Sequence, residues 1–355
     1  MMKLDRCMGN NVLLVAPTIN DLYKDIISQL KDWGMEVDFI EDRAERFDPN
    51  YIRNEWHNFY DNSFWRERFQ QKLDIKWKEL LSTQPFDKNY DYLLVIDGQS
   101  VSPFLFKELK SRNHNLWAAN YLFDSTTSLY RFQVNFNHFN LVASFDLRDC
   151  EKYGLLFLPI YWCEQQMPQA KEYDLFGFGT YSSSRYALFN KVNNVAKELK
   201  LKSYIKLYCM EISNFRRYNC KRILRKMLGL KTYISSEHYN SSLITHKLLP
   251  SAEFRRLIYA SEIIIDSVNF DQDGMTARFM WALGAGKKII TTNTNYHKYK
   301  CYNPEQVYIV DNLSSINCPT FLKFLQSHNT ITDKQKEILA PWRIDRWIAT
   351  LLNLQ

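Results

Sequence analysis

The chain has 355 residues, which is long enough for two domains that each bury a hydrophobic core. An apolar share of 46% and a charged share of 24% exclude a disordered chain. The seven cysteines are scattered and never spaced C-x-x-C. This argues against a disulfide framework or a zinc site and favours a reducing compartment.

The net charge of +7 suits anionic partners, such as nucleotide diphosphates, membrane lipids or nucleic acid, without choosing among them. No motif that reads nucleic acid is present, so we expect no nucleic-acid partner. No N-terminal signal is visible, and no stretch approaches the roughly 20 apolar residues that cross a bilayer. We expect a cytoplasmic protein, either free or held peripherally at the inner face of the cytoplasmic membrane.

The first half of the chain alternates strand and helix patterns, which predicts an α/β domain with a parallel sheet. Gly34 closes the first helix, and Asp97-Gly98 turns the chain at the end of the clearest strand. Strands are predicted at 11–17, 35–40, 90–98, 116–122, 139–144 and 155–158, and helices at 21–33, 47–81 and 103–110.

A second alternation begins after a linker over 159–172. Arg185 opens its first helix, after a strand that ends in a Ser-rich turn. Strands are predicted at 173–180, 203–208, 231–234, 263–265 and 287–293, with a single last helix at 332–354.

The stretch 261–293 contains a strand, a glycine-containing loop, a helix and a second strand, which together form a βαβ unit. The apolar run Ile263-Ile264-Ile265 is the first strand, and Gly286 stops the helix. Since the helix begins directly at the loop, its unpaired N–H groups and positive dipole end favour a bound phosphate there.

Three segments of the second half resemble the donor half of GT-B glycosyltransferases, especially the CgeB-like branch of bacterial surface-polysaccharide clusters. They are LPSAEF at 249–254, Gly274-Met275-Thr276, and ALGAGKKII at 282–290. Residues 121–125, 144–146 and 153–159 are similar to the acceptor half of the same branch.

The resemblance implies a fold of two Rossmann-like α/β domains that face each other across a cleft. Residues 1–165 would form the acceptor-binding domain and 166–330 the nucleotide-sugar-binding domain, with a C-terminal helix at 331–355 packing back on the first. The implied activity is metal-independent, cofactor-free transfer of a sugar from a nucleotide-diphosphate donor. The acceptor would be a bacterial surface glycan, either free or lipid-linked, of lipopolysaccharide or capsule.

The donor site is expected at two loops. The turn at 177–182 begins like a dinucleotide fingerprint but lacks its third glycine, so a Rossmann oxidoreductase is poorly supported and a plain strand-to-helix turn stays open. In the other loop, Arg278 stands at a helix start, where it opposes the helix dipole unless an anion binds. The expected donor-binding residues are Gly179, Thr180, Arg185, Asp273, Gly274, Met275, Thr276, Arg278 and Trp281.

Trp281 departs from the family pattern, because many relatives carry at this place the Glu that binds the nucleotide ribose. An indole offers only a hydrogen-bond donor to a ribose hydroxyl, so it either shapes the nucleoside pocket by packing or turns into the core.

Asp97 and Asp124 are the candidates for the catalytic base, because each ends a predicted strand at the sheet edge that binds ligands. The alternative for each is a carboxylate that closes a turn or caps a helix.

Two rival functions remain open. Asp271-Gln272-Asp273 is a D-x-D, which would hold a divalent cation in a GT-A-like enzyme. A non-catalytic nucleotide- or glycan-binding module on a GT-B scaffold is the second rival, favoured by Trp281. The basic cluster at 216–226 is either a solvated helix face or a surface for anionic lipid.

Overall fold

The computed structural model describes residues 7–18, 21–42, 63–126, 132–164, 169–212, 234–268, 273–327 and 332–354. The chain divides into two compact units. The first comprises Met1–Tyr161, Asp271–Gly274 and Ala340–Gln355, and the second comprises Trp162–Phe270 and Met275–Leu339.

The first unit contains a six-stranded parallel sheet in the order β2-β1-β3-β4-β5-β6. Its strands are β1 Asn11–Ala16, β2 Glu36–Glu41, β3 Tyr92–Ile96, β4 Trp117–Leu122, β5 Leu141–Ser144 and β6 Leu156–Phe157. Its helices are α1 Leu22–Asp32, α2 Ser63–Leu81, α3 Pro103–Arg112, α4 Phe132–Asn135, α5 Leu147–Tyr153 and, near the end of the chain, α12 Ile344–Leu351.

The second unit contains another six-stranded parallel sheet, in the order β12-β11-β10-β7-β8-β9. Its strands are β7 Tyr173–Thr180, β8 Ser203–Tyr208, β9 Ile244–Thr245, β10 Ser261–Ile265, β11 Lys288–Thr291 and β12 Val307–Ile309. Its helices are α6 Ser183–Glu198, α7 Ser236–Tyr239, α8 Ser251–Tyr259, α9 Ala277–Gly284, α10 Pro319–Gln326 and α11 Asp333–Leu339. The α/β fold class predicted from the alternation is confirmed.

Each sheet is held by central strands that are buried on both faces. β1 and β3 lie side by side with Val15 opposite Val95, and both side chains are fully buried. In the second unit, Ile264 of β10 lies opposite Phe176 of β7, again with no exposure. Such continuous apolar runs are typical of parallel strands covered by helices.

The order of the second sheet reverses between β7 and β10. From β7 the chain moves outward through β8 to β9, whereas from β10 it moves the other way through β11 to β12. The loops that leave the carboxyl ends of β7 and β10 therefore diverge, which opens a crevice at this switch point.

The last helix departs from the prediction of a single helix over 332–354. Instead, α11 ends at Leu339, a 3₁₀ turn covers Ala340–Trp342, and α12 begins at Ile344. Pro341 explains the break, since proline has no N–H for the helical ladder and its ring clashes with the preceding turn.

Several predicted elements fall partly or wholly on residues that the structure leaves undescribed. The helix expected at 47–81 is α2 over its later part, while 47–62 lies outside the described residues. The strand expected at 231–234 lies outside them except for Ile234, which is not in a strand. The basic cluster at 216–226 also lies outside them. Among the helices that are described, none has the length and apolar character to span a membrane.

Trp347 of α12 fastens the end of the chain to the first unit. Its ring is fully buried, packs edge-on against Tyr121 at 4.6 Å and Tyr161 at 5.1 Å, and donates a 3.0 Å hydrogen bond to the Pro159 carbonyl. The short α12 is thus stabilised by aromatic packing and not by its length.

Replacing Trp347 with alanine should destabilise the protein by about 3–5 kcal/mol, because a large buried ring is lost and a cavity remains. The exposed neighbour Arg346 is a matched control, and Arg346→Ala should change stability by no more than about 0.5 kcal/mol. Urea unfolding followed by circular dichroism measures both. Equal effects of the two substitutions would contradict the anchoring role.

Candidate functional site

The switch-point crevice of the second unit is lined by the residues that follow β7 and β10. β7 ends in Gly179 and Thr180, and β10 is followed by Asp266 and Ser267.

Asp266 is a fully buried carboxylate that binds three elements together. Its Oδ1 accepts hydrogen bonds from the Thr276 hydroxyl at 2.8 Å and from Arg278 Nε at 3.1 Å. Its Oδ2 accepts from the Thr291 hydroxyl of β11 at 3.1 Å. These contacts supply the pairing that a buried charge requires.

Thr276 connects this carboxylate to the start of α9. While its hydroxyl donates to Asp266, it accepts a 3.1 Å bond from the Phe279 backbone N–H and so caps the helix. The positive end of α9, which is eight residues long, therefore lies beside the crevice.

Arg185 and Arg278 meet at Gly179. The Arg278 guanidinium donates to the Phe178 carbonyl. Arg185 donates to the Ser267 hydroxyl at 2.6 Å and to the Thr180 carbonyl. A Cβ added to Gly179 would lie 3.2 Å from Arg278 Nη1 and 3.3 Å from Arg185 Cδ. The missing side chain is what lets both arginines pack against this strand end.

The crevice carries more positive than negative charge. Arg278 is paired with Asp266, but the hydrogen bonds of Arg185 go to a hydroxyl and two carbonyls. Burial, and next the nearby charge of Arg278, lower the pKa of Arg185 to about 10, while Asp266 acts in the opposite direction. Two guanidinium groups around one carboxylate favour an anionic ligand. Arg185 is partly exposed, so its guanidinium can contact such a ligand.

Of the nine sequence-predicted donor residues, the structure brings five together around Asp266 and the end of β7: Gly179, Thr180, Arg185, Thr276 and Arg278. Asp266 and Ser267 complete the group, although they were not singled out from the sequence. The available signal was position, because both directly follow the Ile263–Ile265 strand at its carboxyl end.

Asp273 and Gly274 belong to the first unit. Asp273 donates its backbone N–H to Asp146 at 2.9 Å and pairs with Arg148 at 2.9 Å. A Cβ on Gly274 would lie 2.2 Å from the Phe145 ring, so this glycine permits a close approach of an aromatic side chain.

Met275 and Trp281 are buried in the second unit. Trp281 packs edge-on against Phe254 at 6.1 Å, and the Arg255 guanidinium lies 4.5 Å from the indole ring. The indole N–H has no hydrogen-bond partner among the described residues. Because only 2% of Trp281 is exposed, its burial indicates a packing role in the core. A contact with the nucleoside stays a prediction.

Asp97 lies in the first unit at the carboxyl end of β3, with a left-handed φ of 62°. Its Oδ1 accepts backbone N–H bonds from Phe123 at 2.8 Å and Asp124 at 3.3 Å. Burial, followed by the charges of Asp124 and Asp42, raises the pKa of Asp97 well above its ordinary value. Asp97 is therefore a buried carboxyl group that closes a turn. Asp124 is half-buried. A catalytic role for either residue stays a prediction.

No group of three His, Cys, Asp or Glu side chains that could hold a metal occurs among the described residues. In the D-x-D at 271–273, Asp271 lies outside them.

No protein-family model matches the sequence, and no curated protein matches it. Solved structures do match along nearly its whole length. The α,α-trehalose-phosphate synthase (UDP-forming) of Burkholderia vietnamiensis has a TM-score of 0.55 at 8% identity, covering 98% of this chain and 99% of that one. The corresponding synthase of Burkholderia multivorans has 0.52 at 9% identity, with 98% of each chain covered.

A third structure, the UDP-GlcNAc 2-epimerase of Neisseria meningitidis bound to UDP-GlcNAc, has a TM-score of 0.50 at 9% identity. It covers 97% of this chain and 100% of that one. Two Rossmann-like units with parallel sheets match the architecture of these proteins. The fold is GT-B. The GT-A-like reading of Asp271 and Asp273 is therefore not favoured.

Removing Arg278 should destabilise the GT-B fold by about 3–5 kcal/mol, since Asp266 would be left as an uncompensated buried charge. A double-mutant cycle of Arg278→Ala with Asp266→Asn should recover about 0.5–3 kcal/mol of that loss. Lys76→Ala is the control, because Lys76 and its partner Glu79 are both exposed and such a surface pair contributes about 0–1 kcal/mol. Additive losses in the cycle would contradict the pairing.

The raised pKa of Asp97 should make stability fall as pH rises from about 4 toward neutrality. Over this range Asp97 loses its proton in the unfolded chain but keeps it in the native state. The free energy of unfolding therefore decreases as pH rises. In Asp97→Asn the decline should be shallower, which thermal unfolding at a series of pH values can measure. An unchanged slope would show that Asp97 does not titrate in this range.

Proposed function

We propose that this protein is a glycosyltransferase that binds a nucleotide-diphosphate sugar in its second unit. The observation that carries the proposal is the excess positive charge at the switch-point crevice, where Arg185 and Arg278 surround Gly179 beside the start of α9. Planar guanidinium groups and a helix N-terminus are the groups that bind phosphate oxygens.

The donor is proposed to be a uridine diphosphate sugar. The Burkholderia vietnamiensis synthase is described as UDP-forming, and the Neisseria epimerase as bound to UDP-GlcNAc. Those are properties of those proteins, and they make uridine nucleotides the first ligands to test on this chain.

In the transfer step, an acceptor hydroxyl oxygen bonds to the anomeric carbon while the bond between that carbon and the diphosphate oxygen breaks. The hydroxyl proton passes to a base, and negative charge develops on the leaving diphosphate. Arg185, Arg278 and the dipole of α9 would stabilise that charge without a metal or cofactor. Asp266 would hold Arg278 in place through its 3.1 Å contact.

The acceptor is proposed to be a bacterial surface glycan bound by the first unit, as the resemblance to the CgeB-like branch implies. Of the two base candidates, half-buried Asp124 is the more accessible. Buried Asp97 accepts a hydrogen bond from the backbone N–H of Asp124. Contact with the inner face of the cytoplasmic membrane remains part of this proposal, resting on the basic cluster at 216–226.

An epimerase is the second candidate, because the Neisseria enzyme has the same fold. A non-catalytic nucleotide-binding module is the third, because Trp281 leaves the usual ribose-binding place without a carboxylate. Incubating the purified protein with labelled uridine diphosphate sugars and surface-glycan acceptors separates the three. Labelled sugar on the acceptor together with released UDP supports the transferase, a changed sugar still attached to UDP supports the epimerase, and unchanged donor supports the module.

Arg185→Ala should weaken UDP binding by roughly 10- to 150-fold, since one charge-assisted contact contributes about 1.5–3 kcal/mol. Arg185→Lys should recover only part of this loss, because lysine keeps the charge but not the two-pronged geometry. Isothermal titration calorimetry with UDP and with uridine measures the effect, and uridine binding should be nearly unchanged.

The control is Lys191→Ala, which removes an exposed cation from the same helix α6. It should bind UDP like the wild type. Equal losses for UDP and uridine in Arg185→Ala, or an equal loss in Lys191→Ala, would contradict a specific phosphate contact.

A further inference from the structure

A groove of about 900 Å³ runs along β12, the edge strand of the second sheet. Strand β11 lies between β12 and β10, and no residue that lines the groove belongs to the switch-point crevice. One side is formed by residues 294–305 and the other by α10. Its volume is in the range of small-molecule sites, about 300–1,000 Å³.

Two tyrosines line this groove, and each ring packs against a buried aromatic side chain. Tyr302 is 43% exposed, and its ring packs edge-on at 5.5 Å against buried Tyr296, whose hydroxyl is bonded to the Cys301 carbonyl. Tyr308 on β12 packs against Phe321 at 5.1 Å. Because Tyr296 and Phe321 are fully buried, these contacts favour one orientation of each tyrosine ring before a ligand binds.

The wall on the α10 side is also held in place. The ammonium group of Lys288 is buried and donates to the carbonyls of Phe324, Leu325 and Ser327, the residues that end α10 and turn away from it. Phe324 and Ser327 line the groove. The groove is therefore a preformed feature of the second unit.

The rim is polar and carries charges of both signs. Its exposed side chains include two carboxylates, one ammonium group, one imidazole and two hydroxyls, from Glu305, Asp311, Lys323, His297, Thr294 and Thr320. Mixed charge of this kind does not select a phosphate or an anionic lipid headgroup, which require an excess of cations.

We propose that this groove binds a neutral oligosaccharide. A sugar ring has a C–H face that packs on a tyrosine, and its hydroxyls both donate and accept hydrogen bonds, which suits carboxylates, hydroxyls and an ammonium group on one rim. The site is independent of the proposed sugar transfer, because it shares no residue with the crevice at Arg185 and Arg278.

An extended peptide that adds a strand to β12 is the occupant this geometry disfavours. β12 has only three residues, and short edge strands are a poor template for pairing.

The test is binding of the purified protein to an array of neutral oligosaccharides, with affinities for bound glycans measured by calorimetry. Wild type should bind at least one neutral glycan. Tyr302→Ala should weaken that binding about tenfold, whereas Tyr302→Phe, which keeps the ring, should stay close to wild type. Glu305→Gln should also weaken it, since a strong acceptor is lost without a change of shape.

Two controls separate this site from the proposed transfer site and from general damage. Arg185→Ala should bind the glycan like wild type, and so should Ile75→Ala, which removes an exposed apolar side chain from α2. Three results would overturn the proposal: no neutral glycan binds, Tyr302→Ala and Glu305→Gln bind like wild type, or Arg185→Ala abolishes binding. The last result would assign the glycan to the crevice.

Discussion

The buried ion pair of Asp266 with Arg278 is the interaction on which the candidate site depends. A fully buried carboxylate is costly unless its oxygens are satisfied, and here two threonine hydroxyls and one guanidinium satisfy them. The same contacts fix the end of β10, the cap of α9 and a side chain of β11 relative to each other. One carboxylate thus stabilises the local fold and fixes the position of a cation at the switch point.

Asp266 pairs with Arg278 but not with Arg185, and the candidate function depends on this remaining positive charge. Arg185 lies at the same glycine as Arg278, and its hydrogen bonds go to neutral oxygens. The crevice therefore remains electropositive after all described contacts are made. An anion that bound there would meet groups already in position, so little reorganisation would be needed when charge develops during a reaction.

The sequence predicted features that depend on local patterns. Examples are the Ile263–Ile265 strand, the start of α9 and the turn at Gly179. Each is predictable because an apolar run, a helix cap or a glycine turn is recognised from neighbouring residues. The partners of Asp266 were not, since Thr276, Arg278 and Thr291 meet it only after three elements pack together. Gly274 illustrates the same limit: a glycine predicts close approach, but not that Phe145 is the group approaching. The prediction of a single helix over 332–354 is wrong at Pro341, although a proline inside a helical pattern is itself a local signal of a break.

The proposed function depends on nucleotide-diphosphate binding in the crevice between the ends of β7 and β10. A crystal structure of the protein with UDP tests it most directly. We expect the diphosphate within hydrogen-bond distance of the Arg185 guanidinium, next to Gly179 and the start of α9, with Arg278 still paired to Asp266. UDP bound elsewhere on the protein, or a crevice that stays without nucleotide at saturating UDP, would contradict it.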